Sequence, residues 1–188
     1  MVKGGINMEG QPILYTERLL LRPFSLDDAK RVQELAGDIK VATYTINIPH
    51  PYEDGMAEHW ISTHNENLEQ NKSITYAVVI DETQKLIGAI SLMLNLNHKK
   101  AEIGYWFGVS YWNKGYCTEA AREMIKLGFE QLDLNKIFAC AVVENIGSWR
   151  VMEKAGMSFE GVRRQDVLKW GEFKDLKYYY VLKEDYKG

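Results

Sequence analysis

The sequence predicts an α+β fold: a mixed, mostly antiparallel sheet with the long helices packed on it. Three observations predict it. Apolar runs at 73–80, 86–94 and 101–109 are separated by two short turns, 81–84 and 95–100, as in an antiparallel meander. Ala121, Met124, Ile125, Gly128 and Leu132 recur at helical spacing between about 115 and 132. The run KIFACAVV, 136–143, is apolar on both faces, as a buried central strand should be.

The remaining elements follow in chain order. Residues 13–22, ILYTERLLLR, read as one strand that Pro23 ends. Ser25 is a good N-cap with Asp27 and Asp28 in the first turn, so a helix runs to about Ala36 and stops at Gly37. Residues 43–52 hold Pro49 and Pro51 and read as a loop; 53–69 form a second, weakly amphipathic helix. A short helix takes 148–154 and Gly156 terminates it. Two closing strands cover about 157–169 and 173–182. The predicted order is βααβββαβαββ.

The chain has 188 residues, one domain by length, which is expected to span 12–188 behind a flexible tail, 1–11. Hydrophobic residues make up 46% and charged residues 26%, which excludes a disordered or collagen-like chain. No run of about 18 apolar residues exists, so no membrane-spanning helix is expected. A net charge of −3 argues against a broad nucleic-acid surface. Cys117 and Cys140 show no zinc spacing and read as buried free thiols. His50, His59, His64 and His98 show no metal spacing and read as surface or loop residues, so no metal site is expected. The polar, Gly-rich start is no signal peptide, and a cytoplasmic location is expected.

Chemistry concentrates in residues 109–120, VSYWNKGYCTEA. A strand ends, a loop with Gly115 follows, and a helix begins. Such a junction offers free N–H groups and the positive end of a helix dipole, which suits phosphate. Gly115 allows close approach of the backbone and Lys114 adds charge. The patterns GxxxxGK[ST] and GxGxxG are both absent, so neither an NTPase nor a Rossmann site is indicated. A plain strand-to-helix connection is the alternative.

Residues 112–120, WNKGYCTEA, resemble the acetyl-CoA pyrophosphate loop of the GNAT superfamily, whose usual pattern is Gln/Arg-x-x-Gly-x-Gly/Ala. Residues 16–23, TERLLLRP, followed by Asp27-Asp28-Ala29, and residues 145–157, NIGSWRVMEKAGM, resemble its ribosomal-protein N-terminal acetyltransferase branch. The three matches come in the family's order and span about 13–180. Trp112 and Cys117 depart from the usual loop residues.

The resemblance implies a GNAT-like sheet with helices on both faces and a splayed strand pair, here 101–109 and 136–143. It implies acetyl-CoA as cofactor, with CoA as product. The backbone of Phe107, Gly108 and Val109 would contact the pantetheine arm and thioester, much as an added strand would. The N–H groups of Asn113, Lys114, Gly115, Tyr116, Cys117 and Thr118 would hold the pyrophosphate. Glu119 would face away in a structural role. Asn145 would bond the arm, or serve as a turn residue. Ser148 would approach the cofactor sulfur as the acid, or cap the 148–154 helix.

The implied reaction is attack of a neutral amine on a thioester. An α-amine with a pKa of about 7.7–8.0 is partly neutral at pH 7, whereas a lysine at about 10.4 must give up on the order of 4.6 kcal/mol. An α-amine therefore asks little of a base. Glu102, on the strand entering the splay, is the first candidate, against a solvent-facing strand residue; Glu172 and Asp175 come after it. The acceptor expected is a protein N-terminus. A small amine (polyamine, aminoglycoside or amino-acid derivative) and a non-catalytic acyl-CoA-binding protein are the alternatives. Exposed strands near the C-terminal end make a homodimer an option.

Overall fold

The computed structural model describes residues 10–187. Its eight strands form one sheet in the order β1-β2-β3-β4-β5-β6-β8-β7. They are β1 (Leu14–Tyr15), β2 (Leu19–Arg22), β3 (Ser73–Ile80), β4 (Lys85–Asn95), β5 (Lys100–Phe107), β6 (Lys136–Val142), β7 (Ser158–Lys169) and β8 (Glu172–Leu182). The helices are α1 (Ala29–Ala36), α2 (Ile39–Tyr44), α3 (Met56–Glu69), α4 (Tyr116–Glu130) and α5 (Ile146–Lys154). Every strand pair is antiparallel except β5–β6. That pair is joined through α4, since parallel neighbours need a crossover.

Alternation along β3 shows how the sheet divides its two cores. Ile74, Tyr76 and Val78 point to the layer of α4 and α5; Ala77 and Val79 point to the layer of α1 and α3. On α4, Ala121, Met124, Ile125 and Gly128 are all buried, as their spacing requires. At Gly128 a Cβ would come 2.6 Å from Ile137 Cδ1, so any larger residue would have to displace that side chain where the helix lies on β6.

The first two strands of the meander, α4 and the closing hairpin form where the sequence places them to within two residues. Four elements differ. The strand expected over 13–22 is a hairpin: Leu14 pairs with Leu21, the Thr16 N–H donates to the Leu19 carbonyl at 2.9 Å, the Leu19 N–H donates to Thr16 Oγ1 at 3.0 Å, and a residue a hundred positions away holds Thr16 and Arg18. Helix α2 occupies 39–44, partly inside the expected loop 43–52, and Asp38 caps it by accepting from the Lys40 N–H at 2.8 Å. The meander's last strand leaves the sheet after Phe107, not Val109, and enters a 3₁₀ turn over Val109–Tyr111. Helix α5 begins at Ile146, two residues earlier than 148, with Asn145 and not Ser148 as its cap. Nine residues of the expected tail 1–11 lie outside the described residues; Gln11 donates to the Thr75 carbonyl at 2.8 Å.

Candidate active site

β5 and β6 pair over only three rungs: Lys100 with Lys136, Ala101 with Ile137 and Glu102 with Phe138. Beyond them the strands separate. β5 stays paired to β4 as far as Phe107, and β6 stays paired to β8 as far as Val142. Each strand then has a free edge whose peptide groups need partners. At the mouth, the Gly108 N–H donates to the Ile87 carbonyl at 2.9 Å, and the Trp112 indole donates to the Phe107 carbonyl at 2.7 Å. Val109 opens the 3₁₀ turn, so its N–H has no partner within it.

The loop that follows is built from two left-handed residues, Asn113 (φ 60) and Gly115 (φ 82). Gly115 is the N-cap of α4 and no side chain caps that helix. The N–H groups of Tyr116, Cys117 and Thr118 therefore face outward from a 15-residue helix with no intrahelical acceptor. Glu119 turns away, as expected. It accepts from Thr16 Oγ1 at 2.6 Å, from the Arg18 N–H at 2.8 Å and from Arg18 Nε at 2.7 Å. Burial alone would raise its carboxyl; these bonds more than offset burial and hold it below the usual glutamate value. Arg18 also donates to the Lys114 carbonyl at 3.1 Å and lies over the Tyr116 ring at 4.7 Å. The β1–β2 turn is thus a strut for the loop.

Across the splay, both ends of the Asn145 amide are engaged. Its Oδ1 accepts from the Ser148 N–H at 3.0 Å, and its Nδ2 donates to the Tyr44 carbonyl at 2.9 Å. Ser148, the third residue of α5, faces Tyr105: the two hydroxyls are 3.1 Å apart, and the Tyr105 hydroxyl donates to the Ser148 carbonyl at 3.0 Å. Burial, with the nearby Cys117, pushes the Tyr105 phenol well above the usual range. Sequence reasoning missed Tyr105. The available signal was its alternation with Ala101, Ile103 and Phe107, which puts it on the α4/α5 side of the gap.

Glu102 lies on the opposite face of the last paired rung. It accepts from the Cys140 thiol at 3.4 Å and enters no ion pair among the described residues. Burial and the Glu102 carboxylate push that thiol up to about 12. Cys117 and Cys140 are both free, as expected, and both half-buried. Tyr179 is core, whereas Tyr178 and Tyr180 share the face of Glu102. The neighbouring carboxylates are matched: Lys136 pairs with Glu160 at 2.6 Å, and the Tyr178 hydroxyl donates to Asp166 at 3.0 Å beside Arg163. Glu172 is paired with Lys174 at 2.6 Å, and Asp175 accepts from the Gln165 N–H at 2.8 Å. Arg122 is spent on the Lys154 carbonyl, at 2.7 Å.

The end of α2 bridges this region. The Tyr44 ring packs edge-on against Trp112 with centroids 6.1 Å apart, and the buried Lys169 amine donates to the Ala42 and Thr45 carbonyls. Away from the splay, concavities of about 270 and 460 Å³ flank α3. The first contains His64, which is not the surface residue expected: it packs against Trp60 and Phe24, and burial lowers its pKa to about 4.

Residues 18–158 match the family model described as an acetyltransferase (GNAT) domain. The chain is 34% identical to YnaD of Bacillus subtilis, an uncharacterised N-acetyltransferase, over 91% of this chain and 97% of that one. It is 41% identical over 104 residues, 55% of this chain and 57% of the relative, to YdaF of B. subtilis, provisionally named a ribosomal N-acetyltransferase. It is 25% identical to the spermidine N(1)-acetyltransferase of Vibrio cholerae over 90% and 95% of the two chains. A GNAT acetyltransferase structure from Bacillus anthracis superimposes with a TM-score of 0.80 at 32% identity, covering 92% of this chain and 99% of that one. The chain therefore belongs to the GNAT family and is an acetyl-CoA-dependent N-acetyltransferase.

Proposed function

We propose that the acceptor is the α-amine of a protein N-terminus, of the ribosomal-protein type. The observation that carries this reading is Glu102, a carboxylate at the last paired rung of the splay that enters no ion pair among the described residues. One carboxylate suits one amine. A polyamine brings several charges, and on this face they would meet Lys100, Lys136 and Arg163, whose rings and carboxylates are already matched. The provisional ribosomal name of YdaF points the same way.

The residues fit acetyl-CoA on two counts. Three uncapped N–H groups at the α4 N-terminus suit a pyrophosphate, and the two free strand edges suit an amide-bearing arm. In this reading the backbone from Asn113 to Thr118, with Lys114, Gly115, Tyr116 and Cys117, holds the phosphates. Phe107, Gly108 and Val109 line the arm, and the free Val109 N–H serves the thioester oxygen. Asn145 gives one Nδ2 hydrogen to the Tyr44 carbonyl and keeps the other for the arm.

When bound, acetyl-CoA supplies the acetyl thioester. Glu102, directly or through a water, takes a proton from the attacking nitrogen as the N–C bond forms. Ser148 would give a proton to sulfur as the C–S bond breaks, and the proton held by Glu102 would return to the serine oxygen through water, restoring both groups. The products are an amide and a thiol. A newly made protein as acceptor implies the cytoplasm. A homodimer would use the exposed Phe159, Val162 and Leu168 of β7.

A panel of free N-terminal peptides, N-blocked peptides, polyamines, aminoglycosides and amino-acid derivatives tests the reading. Turnover confined to free peptide N-termini supports it. Turnover of spermidine with no peptide acetylated would sink it.

A further inference from the structure

We propose that Tyr105 is a positioning residue for the reaction, directing the Ser148 hydroxyl into the splay toward the departing sulfur. The inference rests on Ser148 acting there as the proton donor. Tyr105 lies three residues beyond the last β5–β6 rung and reaches across to α5, where its oxygen stands 3.1 Å from Ser148 Oγ and 3.0 Å from the Ser148 carbonyl.

A phenol has one proton and Ser148 presents two acceptors. When that proton lies on the carbonyl, the phenol oxygen accepts from the serine, whose hydrogen then points back toward Tyr105. When it lies on Oγ, the serine hydrogen must point elsewhere. A serine in a helix otherwise turns its hydroxyl back to a carbonyl three or four residues earlier. Here that carbonyl is Asn145 O, which already accepts from the Ser148 and Trp149 N–H groups. With its one proton turned from the carbonyl to Oγ, Tyr105 keeps Oγ out of that arrangement and leaves the serine one free hydrogen. The phenol stays protonated across the working pH range because burial holds its pKa high, so this donor is always present. The proton transferred to sulfur remains the serine's; Tyr105 gains and loses none.

The test is a double-mutant cycle on the full chain with acetyl-CoA and an accepted amine. Ser148→Ala is expected to lower kcat about 100-fold. Tyr105→Phe keeps the ring and removes one oxygen; it is expected to lower kcat about 10-fold, with the KM and Kd for acetyl-CoA within twofold of the parent. Because Tyr105 acts through Ser148, Tyr105→Phe added to Ser148→Ala is expected to cost nothing more. A further 10-fold loss in the double variant would overturn the inference, since a merely structural role adds independently. An unchanged kcat for Tyr105→Phe beside a slow Ser148→Ala would overturn it alone. Full activity of Ser148→Ala would overturn the donor role of Ser148 and this inference with it.

Discussion

The two edges of β5 differ in both the direction and the length of their pairing. Toward β4 it is stitched by eight antiparallel rungs, from Gly88–Phe107 to Asn95–Lys100. Toward β6 it has three parallel rungs and then opens. The stitched side carries Ile90 and Leu92, both essentially sealed from water, between two helical layers. The open side gathers Glu102, Tyr105, Ser148 and Asn145, with the uncapped start of α4 at its mouth. A buried peptide group without a partner costs about 1–3 kcal/mol, so free edges persist only where something else pairs with them. One strand thus has a stitched edge and an open one, and the residue at which the rungs stop, Glu102, divides the two.

The largest break expected in this contrast comes from Gly115→Val. A branched residue at φ 82 is strained, and its Cβ would meet Arg18 Nη2 at 3.2 Å. The Kd for acetyl-CoA, measured by calorimetry, should rise at least about 100-fold while the stitched side keeps the far-UV spectrum intact. Glu102→Gln comes next. It should lower kcat about 100-fold and move the pH profile of turnover, with cofactor affinity unchanged.

Two smaller effects sharpen the contrast by reading stability. Glu119→Gln cuts the strut between the β1–β2 turn and the phosphate loop, and should cost about 1–2 kcal/mol by urea titration at pH 7. The folded carboxyl lies below its unfolded value, so its contribution is present above the usual glutamate range and is lost as pH falls through the folded value. The parent should therefore lose more stability on acidification than the variant. His64 works in the window above. Its folded pKa of about 4 lies below the ordinary 6.5, so the unfolded chain binds a proton that the folded chain refuses. Its contribution is complete above pH 6.5 and fades toward pH 4, and His64→Leu should flatten that slope by about 1–2 kcal/mol, given partial solvation of the ring.

Local pattern made the stitched side legible. Two short turns between apolar runs located β3, β4 and β5, and helical spacing located α4 with Gly115 at its start. The direction of Glu119 was also legible, because a carboxylate would repel phosphate. What escaped was long-range. The break at residues 16–18 is closed by Thr16 on Leu19 and braced by Glu119 on α4, and no Gly, Pro, Asn or Asp marks it. Helix α2 is six residues long and is held by Lys169, 127 positions from Ala42. Ser148 is a plausible cap in sequence, but Asn145 three residues earlier takes that place and leaves the serine hydroxyl to Tyr105. Tyr105 was missed although alternation with Ala101, Ile103 and Phe107 was there to give it a face; the missing rungs show that it borders the gap.

Amide hydrogen exchange with and without acetyl-CoA tests the central claim most directly, that the open edges of β5 and β6 are the cofactor's docking edges. The account predicts that saturating acetyl-CoA slows exchange at least tenfold in residues 105–109, 116–118 and 139–142, with residues 74–79 and 88–92 unchanged. Protection confined to the concavities along α3, or spread evenly over the sheet, would contradict it.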